Sequence, residues 1–146
     1  MDSKKSIDFS RSLVENNFSN DEVEVIICPS YIHITNVYNK ISNLDNISLG
    51  AQNLSIYKDG AYTGDISLKM INDIGCKYVI IGHSERRIYY GENDNSINKK
   101  LQLLNTTQLN PIVCIGESLE ERERGITQDI LENQISKIFN NIINIE

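Results

Sequence analysis

Tyr78-Val79-Ile80-Ile81-Gly82-His83-Ser84-Glu85-Arg86-Arg87 is an apolar run that breaks at a glycine into a histidine and a burst of charge. Tyr78–Ile81 is β-branched or aromatic throughout and lacks polar alternation. It therefore reads as a strand buried on both faces, as strands of parallel sheets are. Three further runs share this character and are bounded by Gly, Pro, Asn or Asp: Val23–Cys28, Ile47–Ala51 and Ile112–Ile115. The four starts fall about 24 to 34 residues apart, which suits a strand plus a crossover helix and is far too long for hairpins.

The segments between the strands carry helical spacing. Ile34, Val37, Tyr38 and Ile41 share a face, and Leu68, Ile71 and Ile74 run up to Gly75, a good C-terminal glycine. Ile97, Leu101 and Leu104 follow a candidate cap at Asp94, and Leu131, Ile135, Ile138 and Ile142 form the cleanest stripe. An opening helix around Lys4 to Asn16 carries Ile7, Leu13 and Val14. The expected fold class is thus α/β, with helix and strand alternating and the strands parallel. Strand order is not derivable from these patterns, so an open flavodoxin-like sheet and a barrel both fit. Val23–Cys28 and Ile112–Ile115 are as apolar as the strands between them and read as interior strands, because natural sheet edges are usually charged, short or interrupted. That suggests part of a larger closed array.

Composition narrows the partners. The 146 residues include 14 Lys plus Arg and 20 Asp plus Glu, a formal net charge of −6, with 40% hydrophobic residues. An acidic chain lacks the basic face that nucleic acid or an anionic membrane requires. No apolar run approaches the roughly 18 residues of a membrane helix, and no apolar stretch follows the N-terminal Lys4-Lys5 as a secretory signal would need. Cys28, Cys76 and Cys114 are odd in number and widely spaced, which fits free thiols in a reducing compartment. Cys28 and His33 alone make a poor metal site.

In parallel α/β folds the chemistry gathers just past the C-terminal ends of the strands. Those positions hold Pro29-Ser30, Gln52-Asn53, Gly82 to Arg87, and Gly116-Glu117-Ser118. His83 is the outstanding candidate. Ser84 is a candidate cap for a short helix running through Ile88, and a histidine at a helix N-terminus feels the positive end of the dipole, which disfavours imidazolium. A neutral ring there donates a hydrogen bond to a carbonyl oxygen as an electrophile. The plainer alternatives are a loop histidine without a role and, for Glu85, Arg86 and Arg87, a solvated charge cluster.

The run from Tyr78 to Arg87, with Gly91-Glu92-Asn93-Asp94 after it, closely resembles triosephosphate isomerases around their fourth strand. The likeness continues through Gly50-Ala51-Gln52-Asn53, Gly60-Ala61-Tyr62-Thr63-Gly64-Asp65-Ile66-Ser67, Val113-Cys114-Ile115-Gly116-Glu117, Leu119-Glu120-Glu121-Arg122-Glu123 and Gly125-Ile126-Thr127. The resemblance implies a partial (β/α)8 barrel over residues 1–146, holding parallel strands two to five with helices one to five. It also implies interconversion of dihydroxyacetone phosphate and D-glyceraldehyde 3-phosphate through an enediol intermediate, without cofactor or metal, in cytoplasmic glycolysis and gluconeogenesis. His83 takes the place of the family's electrophilic histidine, a family that is itself the standard example of a helix-lowered histidine. Glu85 matches a supporting carboxylate, or else pairs with Arg86 or Arg87. Thr63, at the tip of a loop that enters the neighbouring subunit of family homodimers, and Gln52 match the dimer interface. Thr63 is otherwise a plain exposed turn, and Cys114 matches a buried cysteine of strand five.

A full barrel of this kind has about 250 residues. The family's Asn and Lys of an N-W-K-M run and the glutamate of its A-Y-E-P-x-W segment have no counterpart here. Met1 aligns with the Met after that Lys, and Ile145-Glu146 fall just before a sixth strand. The expectation is an incomplete sequence, inactive alone for want of base and lysine. The alternative is a shortened, non-catalytic relative serving as a binding or assembly module, and a third reading is complementation by a second polypeptide.

Overall fold

A computed structural model describes residues 2–15 and 23–143. Helix α1 spans Ser3–Glu15, β1 Val25–Ile27, α2 Ile34–Ile41 after a 3-10 turn at Tyr31–His33, β2 Ile47–Ala51 and α3 Leu68–Asp73. Then come β3 at Tyr78–Ile81, α4 at Ser84–Tyr90, α5 at Asp94–Leu104, β4 at Asn110–Val113, α6 at Leu119–Glu123 and α7 at Thr127–Ile138. The four strands form one parallel sheet in the order β1-β2-β3-β4. Ile27 lies opposite Leu49, Ala51 opposite Val79, and Ile81 opposite Val113. Sequential order with a helix in each crossover is that of a barrel segment. A flavodoxin-like sheet would interleave its first two strands.

The alternation of each strand sorts its side chains between two faces. Ile47, Leu49, Ala51, Val79 and Ile81 are buried in one core with Ile34, Val37 and Ile41 of α2, Ile71 of α3, Ile97, Leu101 and Leu104 of α5, and Ile138 of α7. The opposite face is tight at its centre. A Cβ on Gly50 would stand 2.5 Å from Cys28 Sγ and 3.2 Å from Ile26 Cγ2, so no larger residue fits there without displacement. At one end of that face Ser48 Oγ and Tyr78 Oη donate to the two oxygens of Glu24, at 2.6 and 2.8 Å, and the Ser48 bond does most to hold the Glu24 carboxyl below its ordinary range. All three cysteines are free. Cys76 is buried, and burial pushes its thiol up to about 11.

Several sequence expectations need correction. Val23 and Glu24 lie outside the ladder, whose β1 part opens with the Val25 amide donating to Asn46 O. The fourth strand starts at Asn110 rather than Ile112. The amides of Asn110 and Cys114 donate to Lys77 O and Ile81 O of the neighbouring segment, so Pro111 sits where an N–H would face away from β3 and costs the ladder nothing. Within the described sheet β1 and β4 are the outer strands, the two ends of a four-strand barrel segment, so their apolar character fits the larger array expected from sequence. Helix α1 buries Ser6 and Ser10, small residues that let it lie close to α2, while Val14 is exposed; Asn16, its expected end, lies outside the described residues, as do Met1, Ile145 and Glu146. Helix α7 stops before Ile142, because Asn98 Nδ2 caps the carbonyls of Ile138 and Asn140 and Asn141 adopts φ +58°. Helix α6 had no apolar stripe to announce it; its signal is a capping box between Ser118 and Glu121.

The start of α5 is set one residue earlier than Asp94. Asn93 Oδ1 accepts from the Ser96 amide at 3.0 Å, and Ser96 Oγ accepts from the Asn93 amide at 2.9 Å. Replacing Asn93 by Ala removes half of this reciprocal pair, and we expect a loss of about 1 kcal/mol in urea unfolding. An unchanged midpoint would mean that the cap adds nothing to the packing of α5.

Candidate active site

The C-terminal ends of β2 and β3 open on a cavity of about 310 Å³ lined by Tyr31, Gln52, Asn53, Ile80, His83, Glu85, Arg86 and Tyr90. Of the residues predicted from sequence, His83, Glu85 and Gln52 come together there. Thr63 does not line it; it lies in the exposed loop between β2 and α3. That loop is closed at its base by the Ser55 amide bonding to Ile66 O at 2.9 Å and by Ser55 Oγ donating to Asp65 at 2.6 Å. At its tip the rings of Tyr57 and Tyr62 stack 4.4 Å apart.

His83 itself, not Ser84, caps α4. Its Nδ1 accepts from the Glu85 amide at 3.4 Å, while the amides of Arg86 and Arg87 donate to its carbonyl at 2.9 and 3.1 Å. The same Nδ1 lies 3.7 Å from the Glu85 carboxylate, an arrangement that favours a proton on that nitrogen. The two contacts compete. The carboxylate is 74% exposed, so solvent screens it, whereas the Glu85 N–H has no intrahelical partner to turn to. A neutral ring that accepts this N–H at Nδ1 carries its own proton on Nε2, which is then free to donate.

Neither arginine pairs with Glu85, contrary to the alternative reading of that cluster. Arg86 faces Glu92, with Nε and Oε2 3.3 Å apart but without the alignment of a hydrogen bond, and its guanidinium lies 4.7 Å over the Tyr90 ring. Arg87 pairs with Asp94 at 2.7 Å. Glu92 also holds Lys100, both side chains being only 4% exposed, and Lys100 Nζ donates on to Asn53 Oδ1 at 2.6 Å. Burial lowers the Lys100 ammonium from the ordinary lysine range, with Glu92 working in the opposite direction. Tyr31 Oη donates to Asn53 O, and burial raises its phenol. Tyr31 and Lys100 were not singled out by the sequence, since nothing in a tyrosine after Pro29-Ser30 or a lysine on an apolar helix face marks it as part of a site.

The spare carboxylates are committed elsewhere. Glu92 is buried on two cations, and Glu117 accepts from Arg122 Nε at 2.8 Å, with its carboxyl held low chiefly by its own backbone amide and then by that arginine. Among the described residues no three His, Cys, Asp or Glu side chains cluster as a metal site, and no helix is long and apolar enough to cross a membrane. Gly82, which turns the chain from β3 into His83, has φ +76°, and a Cβ there would meet Cys114 O and Ile97 Cδ1 at 2.9 Å each. Gly82→Ala combines left-handed strain with overpacking, and we expect about 2–4 kcal/mol of destabilisation by thermal or urea melting. A loss below about 1 kcal/mol would show that this turn relaxes freely.

Sequential parallel strands with a histidine-led loop at their C-terminal ends define a chain of the (β/α)8 barrel class, here with four of the strands. The chain belongs to the triosephosphate isomerase family, whose model matches residues 1–145. The triosephosphate isomerase of Carboxydothermus hydrogenoformans is 48% identical over 129 residues, covering 88% of this chain and 51% of that protein. Those of Endomicrobium trichonymphae and Alkaliphilus oremlandii are 49% and 43% identical, covering 77% and 96% of this chain and 45% and 56% of their own. The chain spans about half the length of the curated relatives it matches.

Proposed function

We propose that this chain carries the polarising side of a triose phosphate isomerase site, with His83 as the electrophile. The observation that carries this reading is the acceptor role of Nδ1 towards the Glu85 amide, which leaves Nε2–H as the donor beside the cavity. In the isomerisation, Nε2–H bonds to the carbonyl oxygen of dihydroxyacetone phosphate, and a base removes a proton from the adjacent hydroxymethyl carbon. Charge moves onto the oxygen as the enediolate forms; that oxygen then takes up a proton while the neighbouring hydroxyl gives one up, and return of a proton to the former carbonyl carbon gives D-glyceraldehyde 3-phosphate. No redox change and no cofactor enters. Electrostatic help of this kind and general base catalysis each contribute about 10²–10⁴-fold. With Glu92 and Glu117 tied into ion pairs and Glu85 on the Nδ1 side of the ring, none of these carboxylates serves as that base, and the chain by itself supplies the first aid and not the second. Glu85 supports the ring through its backbone N–H rather than its exposed carboxylate.

Thr63 and Gln52 belong to a homodimer contact in this proposal. The support is the braced, outward-standing loop with its Tyr57–Tyr62 stack, and the exposed position of Gln52 at the end of β2. The reaction would serve cytoplasmic glycolysis and gluconeogenesis. The test is to place residues 1–146 between the flanking segments of the Carboxydothermus hydrogenoformans relative and assay interconversion of the two triose phosphates. Turnover at enzymatic rates is expected, and a folded, dimeric but inactive hybrid would overturn the proposal.

A further inference from the structure

Arg87 is placed unlike an ordinary surface cation. Its Nε donates to Gly82 O at 2.8 Å, Nη1 to Asp94 Oδ1 at 2.7 Å and Nη2 to Cys114 O at 3.2 Å. One planar fork thus ties the residue before His83, the end of the fourth-strand segment and the first turn of α5. Two of its three partners are main-chain carbonyls, which an ion pair made only for stability has no need of. The geometry at Gly82 sharpens the point. Gly82 packs closely against Cys114 O and Ile97, and its carbonyl shares a rigid peptide plane with the His83 amide. A guanidinium gripping the oxygen fixes the plane from which the His83 side chain departs.

We infer that Arg87 is the positioning residue of His83: by holding Gly82 O against the end of β4, it keeps the imidazole where Nδ1 meets the Glu85 amide and Nε2 is left for the cavity. The inference rests on the reading of His83 as the electrophile for its purpose, but not for its measurement. Lysine does not replace this fork, because an ammonium is a single point donor and cannot span three acceptors in one plane.

The test is ¹⁵N-histidine NMR of the 146-residue chain, with His33, buried away from Arg87, as the internal check on folding. In the wild type we expect one dominant His83 tautomer, protonated at Nε2. Arg87→Met and Arg87→Lys should both bring the separation of the two ring-nitrogen shifts to about half or less of its wild-type value, with the His33 signals unmoved. Asp94→Ala, which breaks the ion pair but spares both carbonyl grips, should lower the melting temperature and leave the His83 signals alone. If Arg87→Met does not fold, Arg87→Lys carries the comparison. Unchanged His83 signals in the arginine variants, with only a lower melting temperature, would overturn the positioning role. A wild-type ring protonated at Nδ1 would instead overturn the electrophile reading, and the positioning role would still be judged by whether the variants move the ring.

Discussion

Lys100→Met should cost about 3–5 kcal/mol in urea unfolding, because it strands the Glu92 carboxylate in the interior with a single, misaligned cation. The size of the effect comes from desolvation. Both side chains are 4% exposed, and the buried ammonium is already depressed from its ordinary range. Removing one partner leaves the other paying the full penalty of a buried charge. Replacing both, as in Lys100→Met with Glu92→Leu, should recover most of the loss, since apolar side chains of similar volume fill the space without that penalty. Arg86 is 29% exposed and can hydrate once Glu92 is gone. A single mutant within about 1 kcal/mol of wild type would mean that water reaches the pair and that its burial is only nominal.

His83→Gln in the hybrid with the relative's flanking segments should lower kcat by about 10²–10⁴-fold with a small change in KM. Glutamine keeps a donor of similar reach, but it cannot hold the capped, planar ring geometry at the start of α4. A drop confined to KM would show that the ring merely binds substrate. A loss under about tenfold would remove it from the chemistry altogether.

The strand–helix alternation was legible because its cause is local: β-branched runs ending at turn residues, and apolar spacing that stops at Gly75. The order of the strands was not, since it depends on pairings between residues distant in sequence, such as Ile27 with Leu49. Element ends went astray where a side chain from elsewhere decides them. Asn98 of α5 ends α7, and Pro111 enters β4 because its missing N–H faces the unpaired side. His83 stood out as a residue following a strand and a glycine, but its part as the cap of α4 did not, for Ser84 is the better capping residue by preference alone. The Arg86-Glu92-Lys100-Asn53 chain was invisible in the sequence. Its members come from α4, the connection between α4 and α5, α5 itself and the segment after β2, and an i,i+4 rule finds none of their contacts.

The most direct measurement is the rate at which the purified 146-residue chain, alone, interconverts dihydroxyacetone phosphate and D-glyceraldehyde 3-phosphate, beside the hybrid that adds the relative's flanking segments. A polarising histidine with Glu92 and Glu117 held in ion pairs, and Glu85 on the Nδ1 side of the ring rather than the donor side, predicts no turnover above buffer for the chain and enzymatic turnover for the hybrid. Ordinary turnover by the chain alone would contradict it, and would place a working base among these residues.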